Sequence, residues 1–317
     1  MDKERLTYID ITKGIGIIFV VWFHMPCINK LPNFTLWWGG YITTFYMPLF
    51  FIMSGLFFKP TNLMVKVRRL MIPYCFFYVL AFGLYVLKMY FKHQTIDLCN
   101  FFVPFLGGTN NYQNTPVWFL LALAEIIVLA YVISSLFNKY QGVLLGIVLG
   151  FTGYLFGKYE YHLPYYFDVA LLNMPFFLVA YYYRSVILKH VNMVNGILFL
   201  IFSVGIYLIS PGFTNVSQNY IPMGAVSFYL ISLTSSLGLI CVLKSINGSC
   251  GTILSFFGKN SLVIMCTHIM LMSLASFCEV HIDNIYIVNI AGLCAILFIE
   301  IPICFIINKY GRVLIGK

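Results

Sequence analysis

The residues best suited to chemistry lie near the start of the chain, in the stretch DITKGIGIIFVVWFHM (10–25). Asp10, Lys13 and His24 are its ionisable groups. Residues eleven apart on an α-helix are separated by three turns and a rise of about 16 Å, so Lys13 and His24 share one face. Asp10 precedes Lys13 by three residues and can pair with it. An imidazole suited to general-base catalysis near neutral pH therefore lies in line with a cation.

Both Lys13 and His24 also have purely structural interpretations. Lys13 could serve only to set membrane topology, with its side chain reaching back to the interface. His24 could be a buried histidine whose ring is satisfied by hydrogen bonds. Ionisable groups inside a membrane are expensive and usually mark function, so we take His24 as the candidate catalytic residue. Gly14 and Gly16 thin the same helix and allow close approach by a neighbour or a ligand.

Glu125 in TPVWFLLALAE, His268 in SLVIMCTHIML and Glu300 before a proline also interrupt apolar runs. Each is suited either to line a polar cavity or to hydrogen-bond one helix to another. For Glu300 the structural role is favoured, whereas both roles stay open for Glu125 and His268.

A cluster of basic residues occupies the stretch KPTNLMVKVRRLMIPY (59–74), with Lys59, Lys66, Arg68 and Arg69. Its ordinary interpretation is positive-inside anchoring. The more specific hypothesis is a phosphate site, because guanidinium groups bind phosphate bidentately. The sequence has no Gly-rich phosphate loop, which argues against a nucleoside triphosphate as the ligand.

The composition shows what kind of scaffold must position these groups. The chain is 61% hydrophobic and 9% charged, whereas soluble domains carry roughly 25% charged residues. Such a chain needs lipid around it. The net charge of +9 is then a topology signal and not a sign of nucleic-acid binding. The nine cysteines form no CxxC pair, so we expect neither a disulfide framework nor a metal site.

Hydropathy predicts ten membrane spans, the first retained because no small-residue cleavage site follows it. An N-terminus inside the cell puts fifteen of the nineteen basic residues on inner segments, so both termini should be cytoplasmic. His24 then lies roughly 22 Å along the first helix, in the outer half of a core about 30 Å thick. We expect an all-α polytopic membrane helical bundle, a single domain over residues 1–317. The predicted spans are 9–28, 37–58, 71–91, 116–137, 141–157, 165–183, 194–210, 222–243, 260–278 and 285–307.

Two outer connections stand out. KHQTIDLCNFFVPFLGGTNNYQNTP (92–116) is polar but interrupted by FFVPFL, which predicts a re-entrant or interfacial segment. SPGFTNVSQNYIPMG (210–224) is polar and uncharged. Such a loop suits neutral hydroxylated ligands such as sugars, although exposed turns have the same composition.

Four stretches together resemble the integral membrane acyltransferase family 3, the O-acetyltransferases of bacterial surface polysaccharides. RLTYIDITKGIGIIFVVWFHMP carries that family's aspartate, its basic residue and, after ten residues, its histidine. FYMPLFFIMSGLFF is similar to its second span through Ser54 and Gly55, and KVRRLMIPYC to its third through Arg68 and Arg69. FFGKNSLVIMCTHIML matches its late motif, which ends in His268.

The resemblance implies acetyl transfer from cytoplasmic acetyl-CoA to a hydroxyl of a cell-surface polysaccharide or its lipid-linked precursor, in a bacterial inner membrane, without a metal. His24 would act as general base or would carry the acetyl group itself. The phosphates of acyl-CoA would lie near the inner mouth, and its pantetheine arm would thread the bundle toward His24. The acyl-CoA-binding residues would be Lys13, Arg68 and Arg69, and the pore or acceptor site would include Asp10, Ser54, Trp118, Glu125 and His268.

Two departures from the family pattern concern these residues. Lys13 replaces the commoner arginine, as in the fucose-acetylase-like branch, and so loses bidentate phosphate binding. WFLLALAE replaces Trp-Ser-Leu-x-x-Glu around Glu125. The alternative function is a transporter or flippase that exports a polysaccharide or lipid-linked sugar, which predicts ion-coupling carboxylates, broken helices and inverted repeats. The acceptor sugar and the oligomeric state stay open.

Overall fold

The computed structural model describes residues 7–26, 28–31, 37–106, 115–246 and 248–316. Over these ranges the chain is mainly helical and forms no β-strand beyond one isolated bridge. The predicted all-α fold is confirmed. The α-helices are α1 (Thr7–Phe23), α2 (Trp38–Leu56), α3 (Leu63–Phe91), α4 (Trp118–Leu136), α5 (Lys139–Lys158), α6 (Phe167–Tyr182), α7 (Arg184–Lys189), α8 (Met193–Ile209), α9 (Ala225–Leu243), α10 (Gly248–Lys259), α11 (Ser261–Thr267), α12 (Met272–His281) and α13 (Ile285–Tyr310).

The apolar segments found by hydropathy each overlap at least one helix. In the described ranges, five helices are long and apolar enough to cross a membrane alone, namely α3, α4, α5, α9 and α13. A bent pair, α10 with residues 261–271, adds a sixth if it counts as one span. The chain is therefore a multi-pass integral membrane protein. Helices α1, α6 and α8 have only 16 or 17 residues, so the number of ten spans stays a prediction.

The ninth predicted span, 260–278, is not one helix. Helix α11 ends at Thr267, a 3₁₀ turn follows over His268–Leu271, and α12 begins at Met272. The stretch before it, expected to be an inner connection, forms α10, which is bent by 62° against residues 261–271. Asn260 lies at the break, where Asn308 Nδ2 of α13 donates to its Oδ1 at 2.7 Å. Asn260 Nδ2 also donates to the Phe256 carbonyl of α10 at 2.8 Å, and side-chain bonds to the carbonyl four residues back bend helices.

The helices form an inner group surrounded by lipid-facing neighbours. Helix α2 packs against α1, α6 and α9, and α4 packs against α3 and α6. The apolar windows of α4 and α9 are 56% and 50% buried, whereas those of α3, α5 and α13 are only 22–28% buried. Helix α5 lies close against α6 because its glycines at 142, 146, 150 and 153 face that helix. The outer group thus offers apolar surface to lipid.

Some expectations fall outside the described residues. Among the topology-setting cations, Lys3, Arg5 and Lys317 are not described, nor are residues 107–114 of the long outer connection. That connection forms 3₁₀ turns at Leu98–Phe101 and at Val103–Leu106, the second of them within FFVPFL. Tyr78 of α3 donates its hydroxyl to the Phe101 carbonyl at 2.6 Å, which fastens this segment to the bundle.

Candidate active site

His24 follows directly after the last residue of α1, at the end of the bundle predicted to be the outer one. Its Nδ1 lies 2.7 Å from the carbonyl oxygen of Val20. A carbonyl only accepts hydrogen bonds, so we assign the proton of the neutral ring to Nδ1. Nε2 then carries a free lone pair, the form that a general base or an imidazole nucleophile requires.

His268 meets His24 from a distant part of the chain. Their ring centroids are 5.1 Å apart, with ring planes at 66°. The His268 ring is fully buried, and its Nδ1 lies 2.6 Å from the Ile264 carbonyl, so it has the same tautomer. Its Nε2 has no hydrogen-bond partner among the described residues. When both rings are neutral, the two imidazoles therefore share one tautomer, with a lone pair on each Nε2.

The broken ninth span is held in place by α13 next to His268. The Thr267 hydroxyl lies 2.8 and 2.9 Å from the two carboxylate oxygens of Glu300, which is fully buried. Glu300 thus links α13 to the end of α11, one residue before the imidazole. This contact agrees with the structural role that the sequence favoured for Glu300.

A cavity of about 320 Å³ opens beside His24. Its wall combines aromatic rings with uncharged polar groups from α1, α2, the start of α4 and the connection between α8 and α9. Trp118, the first residue of α4, is buried within this wall. The aromatic residues are Phe23, Tyr46, Trp118 and Phe213, and the uncharged polar residues are Thr43, Thr214, Asn215, Ser217 and Gln218.

The segment 213–220 is fixed to three helices. The Thr214 amide donates to Thr43 Oγ1 of α2 at 3.2 Å. Asn219 Nδ2 lies within 2.8 Å of the Gly153 carbonyl of α5 and 3.1 Å of an Asp168 carboxylate oxygen of α6. Asn215 and Tyr220 exchange backbone hydrogen bonds of 2.9 and 3.0 Å. Hydrogen bonds to three helices therefore fix the position of this polar loop, which lines the cavity.

The opposite end of α1 is packed against α10. Gly14 faces the Leu254 carbonyl and Gly258 faces the Asp10 carbonyl, so closely that an added Cβ would lie 2.0 and 1.7 Å from those oxygens. The close approach predicted at Gly14 is therefore made by a neighbouring helix. Asp10 is buried at this contact, and Lys13 is half-buried one turn further along.

A model of an acyltransferase domain, Acyl_transf_3, matches residues 6–309 of the chain. The chain belongs to this acyltransferase family. It is a membrane acyltransferase, as the resemblance of its motifs implied. Comparisons with curated proteins and with solved structures found no match.

The acyltransferase keeps its predicted site residues at two separate ends. His24 and Trp118 line the cavity, and His268 contacts His24 from behind. Lys13, Arg68 and Arg69 are not part of the cavity wall that the described residues form. Arg68 and Arg69 are exposed in the second turn of α3. For Lys13, the rise of about 16 Å along α1 separates it from His24.

Two motif residues have mainly structural contacts. The Ser54 hydroxyl donates to the Phe50 carbonyl of its own helix at 2.8 Å and does not contribute to the cavity wall. Gly55 faces the Phe177 carbonyl, 2.2 Å from where a Cβ would lie, so it lets α2 touch α6.

Glu125 lies seven residues after Trp118, or about 10 Å deeper along α4. Its Oε2 is buried without a hydrogen-bond partner in the described part of the chain, and so is the Tyr74 hydroxyl. Glu125 does not line the cavity. Its role as a pore residue stays a prediction.

Sequence reasoning did not single out most of the cavity wall. Thr43, Tyr46 and Phe213 lie in ordinary apolar or turn contexts, and nothing in their type distinguishes them. The usable signal is the uncharged polar composition of 210–224, which suits sugars but does not distinguish individual residues.

Proposed function

We propose that this acyltransferase moves an acetyl group from cytoplasmic acetyl-CoA to a hydroxyl of a cell-surface polysaccharide or its lipid-linked precursor, in a bacterial inner membrane. The observation that carries the proposal is the position of His24, its Nδ1 held by the Val20 carbonyl, at the wall of an uncharged, aromatic and polar cavity. Such a wall suits a hydroxylated acceptor, and the imidazole suits activation of its hydroxyl.

The donor would use the other end of the bundle. Lys13, Arg68 and Arg69 supply positive charge there, and coenzyme A carries its phosphates at one end of a long, mostly uncharged arm. The rise of about 16 Å between Lys13 and His24 is on the scale of that arm. Phosphates at the inner mouth would therefore bring the thioester close to His24.

In the reaction, His24 Nε2 takes the proton of the acceptor hydroxyl while the oxygen attacks the thioester carbon. The carbon–sulfur bond breaks, the thiolate leaves, and the proton passes from His24 to the thiolate. The products are the acetyl ester and free coenzyme A. In the second route, His24 Nε2 attacks the thioester carbon and the coenzyme A thiolate leaves. The acceptor oxygen then attacks the acetyl carbon, the bond to Nε2 breaks, and the hydroxyl proton passes to the thiolate.

Labelled acetyl-CoA and candidate glycans, mixed with the purified protein, test the proposal. The wild type should transfer label, and His24→Ala should lower the rate by roughly 10²- to 10⁴-fold, the usual contribution of general acid–base catalysis. Equal rates for the two proteins would contradict the role of His24. Label trapped on His24 without an acceptor would select the second route.

The bend between α10 and α11 is a feature that the transporter alternative predicts. Proteoliposomes with an entrapped glycan separate the two functions. Glycan flux without consumption of acetyl-CoA would favour export, whereas acetylation that needs acetyl-CoA without net flux would favour transfer.

A further inference from the structure

The cavity beside His24 holds no charged partner for a charged ligand. Its described wall contains no Lys, Arg, Asp or Glu, and its ionisable members are His24 and Tyr46. A carboxylate or phosphate brought into such a site loses its hydration and finds no counter-ion. The wall therefore disfavours acidic ligands.

The same wall offers aromatic faces beside polar groups. The rings of Phe23 and Tyr46 are stacked with centroids 5.2 Å apart, and the Phe213 centroid lies 6.4 Å from that of Phe23. Aromatic faces pack against apolar C–H surfaces, while amide and hydroxyl groups bond to hydroxyls. A pyranose ring presents both kinds of surface.

Thr214 supplies an independent sign of a ligand. Its side chain is 2% exposed, lines the cavity, and has a hydroxyl with no hydrogen-bond partner among the described residues. The backbone amide of Thr214 already donates a hydrogen bond to Thr43 Oγ1. A molecule bound in the cavity would supply the hydrogen bond that this hydroxyl lacks among the described residues.

Hydrogen bonds within the same segment fix the positions of the neighbouring polar side chains. Asn215 Nδ2 donates to Gln218 Oε1 at 3.0 Å, and the Ser217 hydroxyl donates to Asn215 Oδ1 at 2.7 Å. The volume of about 320 Å³ is at the low end of the roughly 300–1,000 Å³ typical of small-molecule sites. It suits one or two sugar rings, with any longer chain outside.

We propose that this cavity is the acceptor subsite and selects an uncharged pyranose unit, with Thr214 as a specificity-determining residue. The inference rests on the proposed acyl transfer for its role in catalysis, but the binding of the sugar does not depend on it.

Methyl glucoside, galactoside and mannoside, each paired with its uronic acid, test the selection because each pair differs only at carbon 6. Binding to the full-length protein in detergent is followed by saturation-transfer NMR without acyl-CoA, and transfer is followed with labelled acetyl-CoA. At least one neutral glycoside should bind at least about tenfold more tightly than its uronate. Equal or tighter binding of all three uronates, or no binding of any pyranoside, overturns the proposal.

Two variants locate the effect. Thr214→Val should raise the Kd and KM for the neutral acceptor about fivefold, the equivalent of one hydrogen bond, without changing the KM for acetyl-CoA. Thr152→Val, on the exposed side of α5, is the matched control and should change neither. Gln218→Lys should shift preference toward the uronate by up to about fivefold. An unchanged Thr214→Val also overturns the proposal.

The failure of each proposal has its own signature. Neutral glycosides that bind through Thr214 but never receive label would sink the proposed transfer and leave the sugar site standing. Label that passes equally well to uronates would overturn the selection of neutral sugars and leave the proposed transfer standing.

Discussion

His24 and His268 are separated by 244 residues in sequence and by 5.1 Å between ring centroids in the fold. The type of each residue and its apolar surroundings were enough to mark both as candidates. Their contact was not predictable, because it depends on the break at Asn260 and on the anchoring of α11 by Glu300. Thr214 was not predictable either, since only the fold shows that its hydroxyl is buried and unpartnered.

At this scale the first prediction concerns His268. His268→Phe keeps a ring against His24 but removes the unpartnered Nε2, whereas His268→Ala removes both. If the nitrogen helps to hold the reacting groups, His268→Phe should lower kcat by up to about 100-fold, the cost of a displacement of about 1 Å, with the KM for acetyl-CoA unchanged. Steady-state kinetics of both variants check this. If His268→Phe is fully active and His268→Ala is inactive, the ring of His268 is needed for packing and its nitrogen has no role in transfer.

At the scale of elements, hydropathy located the apolar helices because bilayer thickness fixes how long an apolar run must be. It missed α10, whose sequence GSCGTILSFFGK is rich in glycine and polar residues and resembles a connection. Its last glycine, Gly258, lets the α10 backbone touch α1 at Asp10. A glycine that is required by a contact between two helices creates no periodic pattern in the local sequence.

The spacing within α1 gives the second prediction. One alanine inserted between Gly16 and Trp22 should rotate His24 by about 100° relative to Lys13. Transfer should be abolished while membrane insertion, measured by fractionation, stays intact. One alanine inserted before Thr7 leaves the interval from Asp10 to His24 unchanged and is the control. Activity in the first variant would show that the common face of Lys13 and His24 is unimportant.

The contact between α1 and α10 gives the third prediction. Gly258→Ala would place a Cβ 1.7 Å from the Asp10 carbonyl oxygen, so the helices must separate. Such overpacking costs about 1–3 kcal/mol, visible as a lower midpoint of thermal unfolding in detergent and a loss of transfer. Gly205→Ala in α8 meets nothing within 4 Å and is the matched control. It should be neutral or should stabilise by up to about 1 kcal/mol. Equal midpoints for the two variants would contradict the close contact.

At the scale of the whole molecule, the bundle separates two environments along α1. Lys13 lies in the first half of α1, the exposed Arg68 and Arg69 lie near the start of α3, and the uncharged cavity lies at the other end of α1 with His24. Under the proposed function, a charged donor and a neutral acceptor would approach from opposite sides of the membrane and react at one imidazole. This division needs the predicted orientation, with the basic end in the cytoplasm.

Labelling of single cysteines tests that orientation. In a variant with its nine cysteines replaced, Tyr220→Cys and Val313→Cys provide targets that are 57% and 71% exposed in the native side chains. A membrane-impermeant maleimide should label position 220 in intact cells and position 313 only after the membrane is opened, and the cysteine-free parent should stay unlabelled. The reverse pattern would place the His24 cavity in the cytoplasm. Donor and acceptor would then meet on one side, and the distance between Lys13 and His24 would no longer serve to carry a thioester across the bundle.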